Sequence, residues 1–215
     1  MSYESLLYEL KEVSSSFRKK EGRHKLKSEG KAYCAFTIPN FCVPRTESQR
    51  CAITRIKQFE LSKDVWEAAA VLDLGCNSGA MLFQASNLGT AVCKGIEFDI
   101  EKVDLARNIA SYAGIDKVTF EQGDIDQLET DDLGVFDVVF ALAIEGHVNQ
   151  PERLFELLGR VTKRVLCFEG NGGCDIDATR QRLLTCGFTQ VEYKGFCTDD
   201  IVASNNKRPV LIAWK

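Results

Sequence analysis

At 215 residues the chain has the length of one domain with a full core, and its 45% hydrophobic and 27% charged composition is that of an ordinary globular protein. Charge is mixed, with a net of −4, and no apolar run approaches the 18 or so residues that span a membrane. The opening Met1-Ser2-Tyr3-Glu4-Ser5 lacks the basic and apolar succession of a secretory signal, so a soluble cytoplasmic protein is expected. The nine cysteines are odd in number, contain no C-x-x-C and place Cys93 and Cys167 inside apolar runs, which reads as reduced thiols packed as small hydrophobes. Cys34, Cys42 and Cys51 are spaced too widely for usual zinc pairs, and His24 and His147 are the only histidines, so no metal site is expected. A thiol-based redox role is the alternative for the cysteines.

Taken in order, Tyr3, Leu6, Leu7, Leu10, Val13 and Phe17 recur at helical spacing and predict a first amphipathic helix. A basic run, Arg18 to Lys27, follows. Residues 1–31 carry eight Lys/Arg against five acids, so the N-terminus is positive while the remainder is acidic. Such a run is either a nucleic-acid contact or a solvated arm. Residues 32–50 alternate aromatic and small residues around Pro39 and Pro44, an extended segment that enters a helix over Arg50–Leu61 through Thr46 or Ser48.

Ala69 to Leu74 is an apolar run of strand length that ends in Asp73, Gly75 and Gly79, with the helix-like Ala80–Ala85 behind it. Glycine at a strand end allows a tight turn and lets a ligand approach where a Cβ would otherwise stand. Strand, loop and helix N-terminus together form a nucleotide-type site at the carboxyl edge of a sheet. The dinucleotide fingerprint G-x-G-x-x-G and the phosphate loop G-x-x-x-x-G-K-[ST] are both absent. A second strand, Thr90–Ile96, ends at Glu97, placed where such sites hold two ribose hydroxyls. A helix over Ile100–Ala113 closes on Gly114, and a third strand, Lys117–Glu121, leads into Gly123-Asp124-Ile125. Phe136–Leu142 is the fourth strand; Pro151–Gly159, with proline in its first turn, the next helix; and Thr162–Phe168 the fifth strand. Glu169, at the glycine-rich end of that strand, is a candidate substrate ligand. Asp175 caps a helix to Cys186, and Thr189–Cys197 and Arg208–Trp214 form two closing strands around a turn at Asn205-Asn206.

The run Val71-Leu72-Asp73-Leu74-Gly75-Cys76-Asn77-Ser78-Gly79, then Glu97, then Gly123-Asp124-Ile125, then Phe136–Leu142, resembles the ordered motifs of class I S-adenosylmethionine-dependent methyltransferases. Asn77 stands where that family's loop has its middle glycine. The resemblance covers residues 62–215 and implies an α/β, Rossmann-like class I methyltransferase fold: a seven-stranded, mostly parallel sheet with helices on both faces and an antiparallel last strand. It implies S-adenosyl-L-methionine as cofactor. The loop residues Asp73, Gly75, Cys76, Asn77 and Gly79 would cradle it, Glu97 would hold the ribose hydroxyls, Asp124 and Ile125 the adenine, Phe98 would join them as a cofactor contact, and Ala141 would lie at the end of the fourth strand. Residues 1–61, with their aromatics and Gln49-Arg50, resemble a subgroup of small bacterial-type relatives whose N-terminal helical and extended segment covers the cofactor site. There Arg50 (or Arg45) would pair with the methionine carboxylate of the cofactor.

Substrate chemistry is expected in the loop after the fourth strand, where Glu145 and His147 are the catalytic candidates; a neutral imidazole is the best available general base. The alternative for His147 is a capping role at the next helix. The N/D-P-P-Y/F motif of base and some protein amino-methylating enzymes is absent; Ala141-Leu142-Ala143-Ile144 occupies that place. A small-molecule hydroxyl or carboxyl acceptor is therefore the first reading. An RNA (tRNA) acceptor bound by the basic run is the second, and a non-catalytic cofactor-binding partner subunit the alternative of another class.

Overall fold

The computed structural model describes residues 1–14, 16–19, 22–25 and 30–215. The chain opens with helix α1 (Tyr3–Ser14), whose Leu6 and Leu10 are buried. The helix stops earlier than its apolar spacing predicts. Ser14 turns its hydroxyl back onto the Leu10 carbonyl (2.5 Å), a local bond that competes with helix propagation. Phe17, expected on the helical face, instead falls in β1 (Ser16–Lys19), which pairs antiparallel with β2 (Gly22–Lys25). The basic side chains of residues 18–27 lie outside the described residues.

Residues 32–51 are not a mere extended leader but a small sheet, β4 (Phe41–Val43), β3 (Ala32–Ile38) and β5 (Ser48–Cys51), in that spatial order. Helix α2 (Ala52–Gln58) starts two residues later than expected. Arg50 lies in β5 because the backbone there pairs in parallel with β3, Cys34 opposite Arg50 and Ala35 opposite Cys51. A four-residue helix, α3 (Lys63–Trp66), then delivers the chain to the core.

The core alternates β6 (Ala70–Leu74), α4 (Ala80–Ser86), β7 (Val92–Glu97), α5 (Ile100–Ala113), β8 (Val118–Gln122), the short α6 (Thr130–Leu133), β9 (Phe136–Leu142), α7 (Pro151–Val161), β10 (Thr162–Glu169), α8 (Ile176–Thr185), β11 (Gln190–Phe196) and β12 (Pro209–Trp214). The seven strands lie in the order β11-β12-β10-β9-β6-β7-β8, and β12 runs antiparallel to both its neighbours while the other contacts are parallel. The strand order reverses direction between β6 and β9, the switch point at which open α/β sheets bind ligands. The expected seven-stranded Rossmann-like sheet with an antiparallel last strand is thus observed. The short helices α3 and α6, each four residues, fall below what periodicity resolves.

The pleat divides the core. On β6, Val71 joins the cluster packed under α2, α4 and α5, while Leu72 and Leu74 join the cluster under α7 and α8. Asp73 is the exception in this buried strand, a carboxyl on the face that β3 and α2 cover. The N-terminal strands are part of that layer: Phe36 stacks on Phe83 of α4 at 5.1 Å, and Tyr3 donates to the Cys42 carbonyl (2.7 Å).

Candidate cofactor and acceptor site

The loop between β6 and α4 is built by backbone bonds. Gly75 and Cys76 donate their N–H groups to the Ile96 carbonyl at 2.8 and 3.1 Å, which locks the loop to the end of β7. Gly75 has φ +73°, and a Cβ there would lie 2.6 Å from Ile144 Cγ2; the close approach demands glycine. Asn77 also takes a left-handed conformation, φ 52°, which asparagine tolerates better than most residues, and its side-chain oxygen accepts from Ser78 N (2.8 Å). Glu97 then secures both sides of the turn. One carboxylate oxygen accepts from Asn77 N (2.9 Å) and the other from Asp99 N (3.0 Å), each keeping a further lone pair for a ligand.

Around this loop the structure brings together Asp73, Gly75, Cys76, Asn77, Gly79 and Glu97. Phe98, 55% exposed, stands beside Glu97. Asp124 and Ile125 follow β8, half-buried, with Asp124 accepting from Asp126 N and Gln127 Nε2, both at 3.0 Å. Ala141 is fully buried in β9 opposite Leu74. The C-terminal end of α1 reaches the same loop: Asn77 Nδ2 donates to the Ser14 carbonyl (3.3 Å), and Ser14 Oγ accepts from Tyr33 N (2.9 Å). Asp73, 3% exposed, is the electrostatic oddity. Burial pushes its carboxyl up to about 8, nearby Arg55 pulls against that, and Glu97 adds to the rise.

The loop expected to carry substrate chemistry lies beyond β9. Glu145 to His147 form a single 3-10 turn, with His147 N donating to Ile144 O (2.9 Å) and the His147 side chain exposed. Asn171 ties this turn to the loop after β10. Its side chain accepts from Gly146 N (2.9 Å) and donates to Ala143 O (3.2 Å), while its own N–H donates to Glu145 Oε1 (3.4 Å). Asp126 holds the segment that leads into α7. Its carboxylate accepts from Asn149 N (2.8 Å), Gln150 N (3.0 Å) and Asn149 Nδ2 (2.7 Å). Partial burial opposes ionisation of Asp126, but these bonds outweigh it and hold its carboxyl below the usual range.

A third group went unread in the sequence. Arg50, fully buried, is bidentate on Glu169 at the end of β10 (2.8 and 2.9 Å). It also donates through Nε to Asp199 (3.3 Å) and through Nη2 to Cys197 Sγ (2.6 Å). Every nitrogen of its guanidinium is therefore engaged within the chain, so the pairing with a ligand carboxylate expected for Arg50 meets internal carboxylates already in place. Arg45 is likewise directed inward, to Ser48 O (2.8 Å) and Asp199 O (2.6 Å). Arg55 reaches Glu169 Oε2 at 3.0 Å, and Arg208 lies 3.6 Å from Oε1. Burial alone would raise the Glu169 carboxyl; Arg55, Arg50 and Arg208 overcome it and bring it to about 2. Gln49 and Asp200 extend the seam, with Nε2 donating to Asp200 at 2.9 Å. Glu169, a candidate substrate ligand by position, is enclosed among arginines. Only the pairing of basic residues in β5 and α2 with the Asp199-Asp200 doublet hints at this in the sequence, and no spacing rule joins them.

Among the described residues no group of three or more His, Cys, Asp or Glu stands where it could hold a metal, and no helix is long and apolar enough to cross a membrane. All nine cysteines are unpaired, five of them buried.

Residues 67–170 match the family model described as a methyltransferase domain. Norajmaline N-methyltransferase of Rauvolfia serpentina is 34% identical over 92 residues, which is 42% of this chain and 31% of that protein. Protein-lysine N-methyltransferase EFM4 of Saccharomyces cerevisiae is 31% identical over 137 residues, 59% of this chain and 55% of that one. The chain thus spans about a third to a half of the curated relatives it matches. Among solved structures, the N-terminal domain of EvdMO1 in the presence of SAH and D-fucose superposes with a TM-score of 0.62 at 18% identity, over 76% of this chain and 82% of that one.

Proposed function

We propose that this chain, whose residues 67–170 match a methyltransferase-domain family model, is a class I S-adenosylmethionine-dependent methyltransferase and that it methylates a hydroxyl or carboxyl group of a small molecule seated over the loops after β9 and β10. The cofactor supplies an electrophilic methyl group on a sulfonium. The residues present fit such a ligand: glycine at 75 leaves open the place a Cβ would fill, and both Glu97 oxygens keep lone pairs beyond their backbone bonds. Glu97 would hold the ribose hydroxyls, Phe98 and Ile125 would flank the adenine with Asp124 accepting from its amine, and Cys76, Asn77, Gly79 and Ala141 would line the remainder. Residues 1–61 would cover the site through α1 and β3, which the Ser14 bonds hold against the loop.

The observation that carries the acceptor reading is the exposed His147 on a turn that Asn171 fixes at the carboxyl edge. There a hydroxyl acceptor would pass its proton to the imidazole as its oxygen bonds to the methyl carbon, and Glu145 would orient the acceptor. A carboxylate acceptor needs no base, and the chain's work is then alignment alone. A second reading, an amine acceptor, is favoured by the N-methyltransferase names of the two relatives above. The test is labelled-methyl transfer to panels of hydroxylated, carboxylated, amino and RNA acceptors, with His147→Ala beside the wild type. Methylation of a hydroxyl with kcat lowered about 100-fold in the variant supports the reading. Transfer to amines or RNA alone would replace it, and cofactor binding without any transfer would make the chain a partner subunit.

A further inference from the structure

The acids beneath the loop after β10 have their partners inside the chain. Glu169 accepts from both terminal nitrogens of Arg50 and from one of Arg55. Asp199 accepts from Arg50, from Cys51 N (2.8 Å) and from the Cys197 thiol (3.0 Å). Asp200 accepts from Gln49 Nε2, from Val202 N (2.7 Å) and from Asn205 Nδ2 (3.0 Å). Arg208 is the cation this arrangement leaves over. Its Nη1 stands 3.6 Å from Glu169 Oε1, an ion contact too long for a hydrogen bond, and among the described residues no hydrogen bond reaches its guanidinium. The side chain is only 15% exposed, so its donors are gathered in a recess rather than spread in open solvent.

The backbone sets this recess beside the turn that carries Glu145 and His147. Arg208 immediately precedes β12, and Pro209 O accepts from Gly170 N (2.9 Å), the first residue of the loop after β10. The next residue, Asn171, holds the turn through Gly146 N and Ala143 O. Ala143 is tied to the same strand end a second time, its N–H donating to Glu169 O (2.6 Å). It is kept there at φ 59°, a left-handed conformation that alanine rarely adopts, and backbone strain of this kind clusters at functional sites. An uncommitted guanidinium and an exposed histidine therefore flank one short stretch, Glu169 to Asn171.

A guanidinium takes a carboxylate through two parallel charge-assisted hydrogen bonds, which a neutral amide cannot match. We propose that Arg208 binds a carboxylate of the acceptor, which makes the acceptor a hydroxy acid, held at its carboxylate by Arg208 and methylated at its hydroxyl beside His147. The proposal deepens, and rests on, the hydroxyl reading given above. The acceptor oxygen bonds to the methyl carbon as the carbon–sulfur bond breaks; the sulfonium leaves as the neutral thioether, and the hydroxyl proton passes to the imidazole. Arg208 touches neither the transferred carbon nor the proton. Its part is to choose the acceptor and to orient it.

Labelled-methyl transfer to aliphatic and aromatic hydroxy acids, each beside its primary amide, tests this. The wild type is expected to favour the acid by about tenfold or more in kcat/KM. Arg208→Gln should raise KM for the acid about tenfold or more, with kcat lowered less than about threefold, and should shift KM for the amide far less; Arg208→Lys should fall between. Calorimetric titration of the S-adenosylhomocysteine complex with the preferred acid should show the same loss of affinity. S-adenosylhomocysteine itself should bind the variant as it binds the wild type, which certifies the fold. An equal loss on acid and amide, an unchanged KM for the acid, or a wild type indifferent to the carboxylate would overturn the proposal and leave the hydroxyl reading standing. Methylation of no hydroxyl at all would remove both.

Discussion

The cofactor loop and the buried charge seam stand side by side on one sheet edge, and they are held by opposite means. The loop is fixed by main-chain donors: Gly75 and Cys76 to Ile96, and Asn77 to Glu97, across 20 residues of sequence. The seam is fixed by side-chain charges that join Arg50 to Glu169 and Asp199 across 119 and 149 residues. In the loop the chain's own geometry selects glycine, and backbone bonds set its shape. In the seam, charge meets charge inside the protein, and what it secures is the attachment of β5 and α2 to β10 and to the segment before β12. One region is the candidate site; the other is the clasp that sets the N-terminal layer over it.

The largest expected effect breaks the clasp. Glu169→Gln leaves Arg50 and Arg55 buried against a neutral amide, and removing one partner of a buried pair costs about 3–5 kcal/mol. Urea denaturation followed by circular dichroism should show that loss with the m-value nearly unchanged. A cost under about 1 kcal/mol would mean that the seam is dispensable. The same group sets the acid limit. Because the folded Glu169 titrates near 2, below its unfolded value of 4.5, its contribution is complete above about pH 4.5 and is lost as pH falls towards 2. Asp73 has the opposite sign. Its folded value near 8 lies above the unfolded 3.8, so its burial weighs increasingly against folding between about pH 4 and 8. Stability should therefore drop steeply on the acid side in the wild type and less so in Glu169→Gln.

That contrast also explains what the sequence could and could not reveal. The succession of core strands and the placement of Asp73, Gly75, Glu97 and Asp124 at their ends follow from apolar periodicity interrupted by acids and glycines, whereas the seven-stranded sheet with its antiparallel last strand was implied only by the resemblance to the methyltransferase motifs. Each is a local pattern, and local patterns survive in one dimension. Arg50 was legible as a helix start and, by resemblance, as a partner for a ligand carboxylate, but not as the partner of Glu169, because an arginine in a run of β-like residues carries no mark of the acid it will meet. The short strands β3 to β5 were missed for a related reason: prolines and aromatics signal an extended chain but not the strand it pairs with. His147 and Asp126 show the same limit within one site. The histidine draws attention by its chemistry, while the aspartate that holds the entry to α7 sits unremarked inside Asp124-Ile125-Asp126.

A smaller effect sharpens the comparison from the side of the loop. Gly75→Ala must hold alanine at φ +73° and place a Cβ 2.6 Å from Ile144 Cγ2, so roughly 1–3 kcal/mol of strain is expected, together with weaker cofactor binding. Adding Ile144→Ala relieves the contact but not the dihedral strain. Calorimetry of the single and double variants separates the two: recovery of most of the affinity assigns the glycine to close approach, and no recovery assigns it to backbone conformation.

The smallest effect belongs to Asp126, which lies next to a ligand-side motif yet works at long range like the seam. Gln150 offers α7 no side-chain cap, and the first helical residue, Pro151, has no N–H to satisfy. The Asp126 carboxylate takes up the N–H groups of Asn149 and Gln150 instead, and its negative charge sits at the positive end of the α7 dipole. Asp126→Ala should thus cost about 1–2 kcal/mol, the price of an ordinary N-cap, while Asp126→Asn, which keeps an acceptor and loses the charge, should cost less. Because the turn that carries His147 enters α7 through Asn149, loosening that cap should lower kcat without changing the affinity for S-adenosylhomocysteine. A matching loss of affinity would place Asp126 with its neighbours in the cofactor site and remove it from the long-range class.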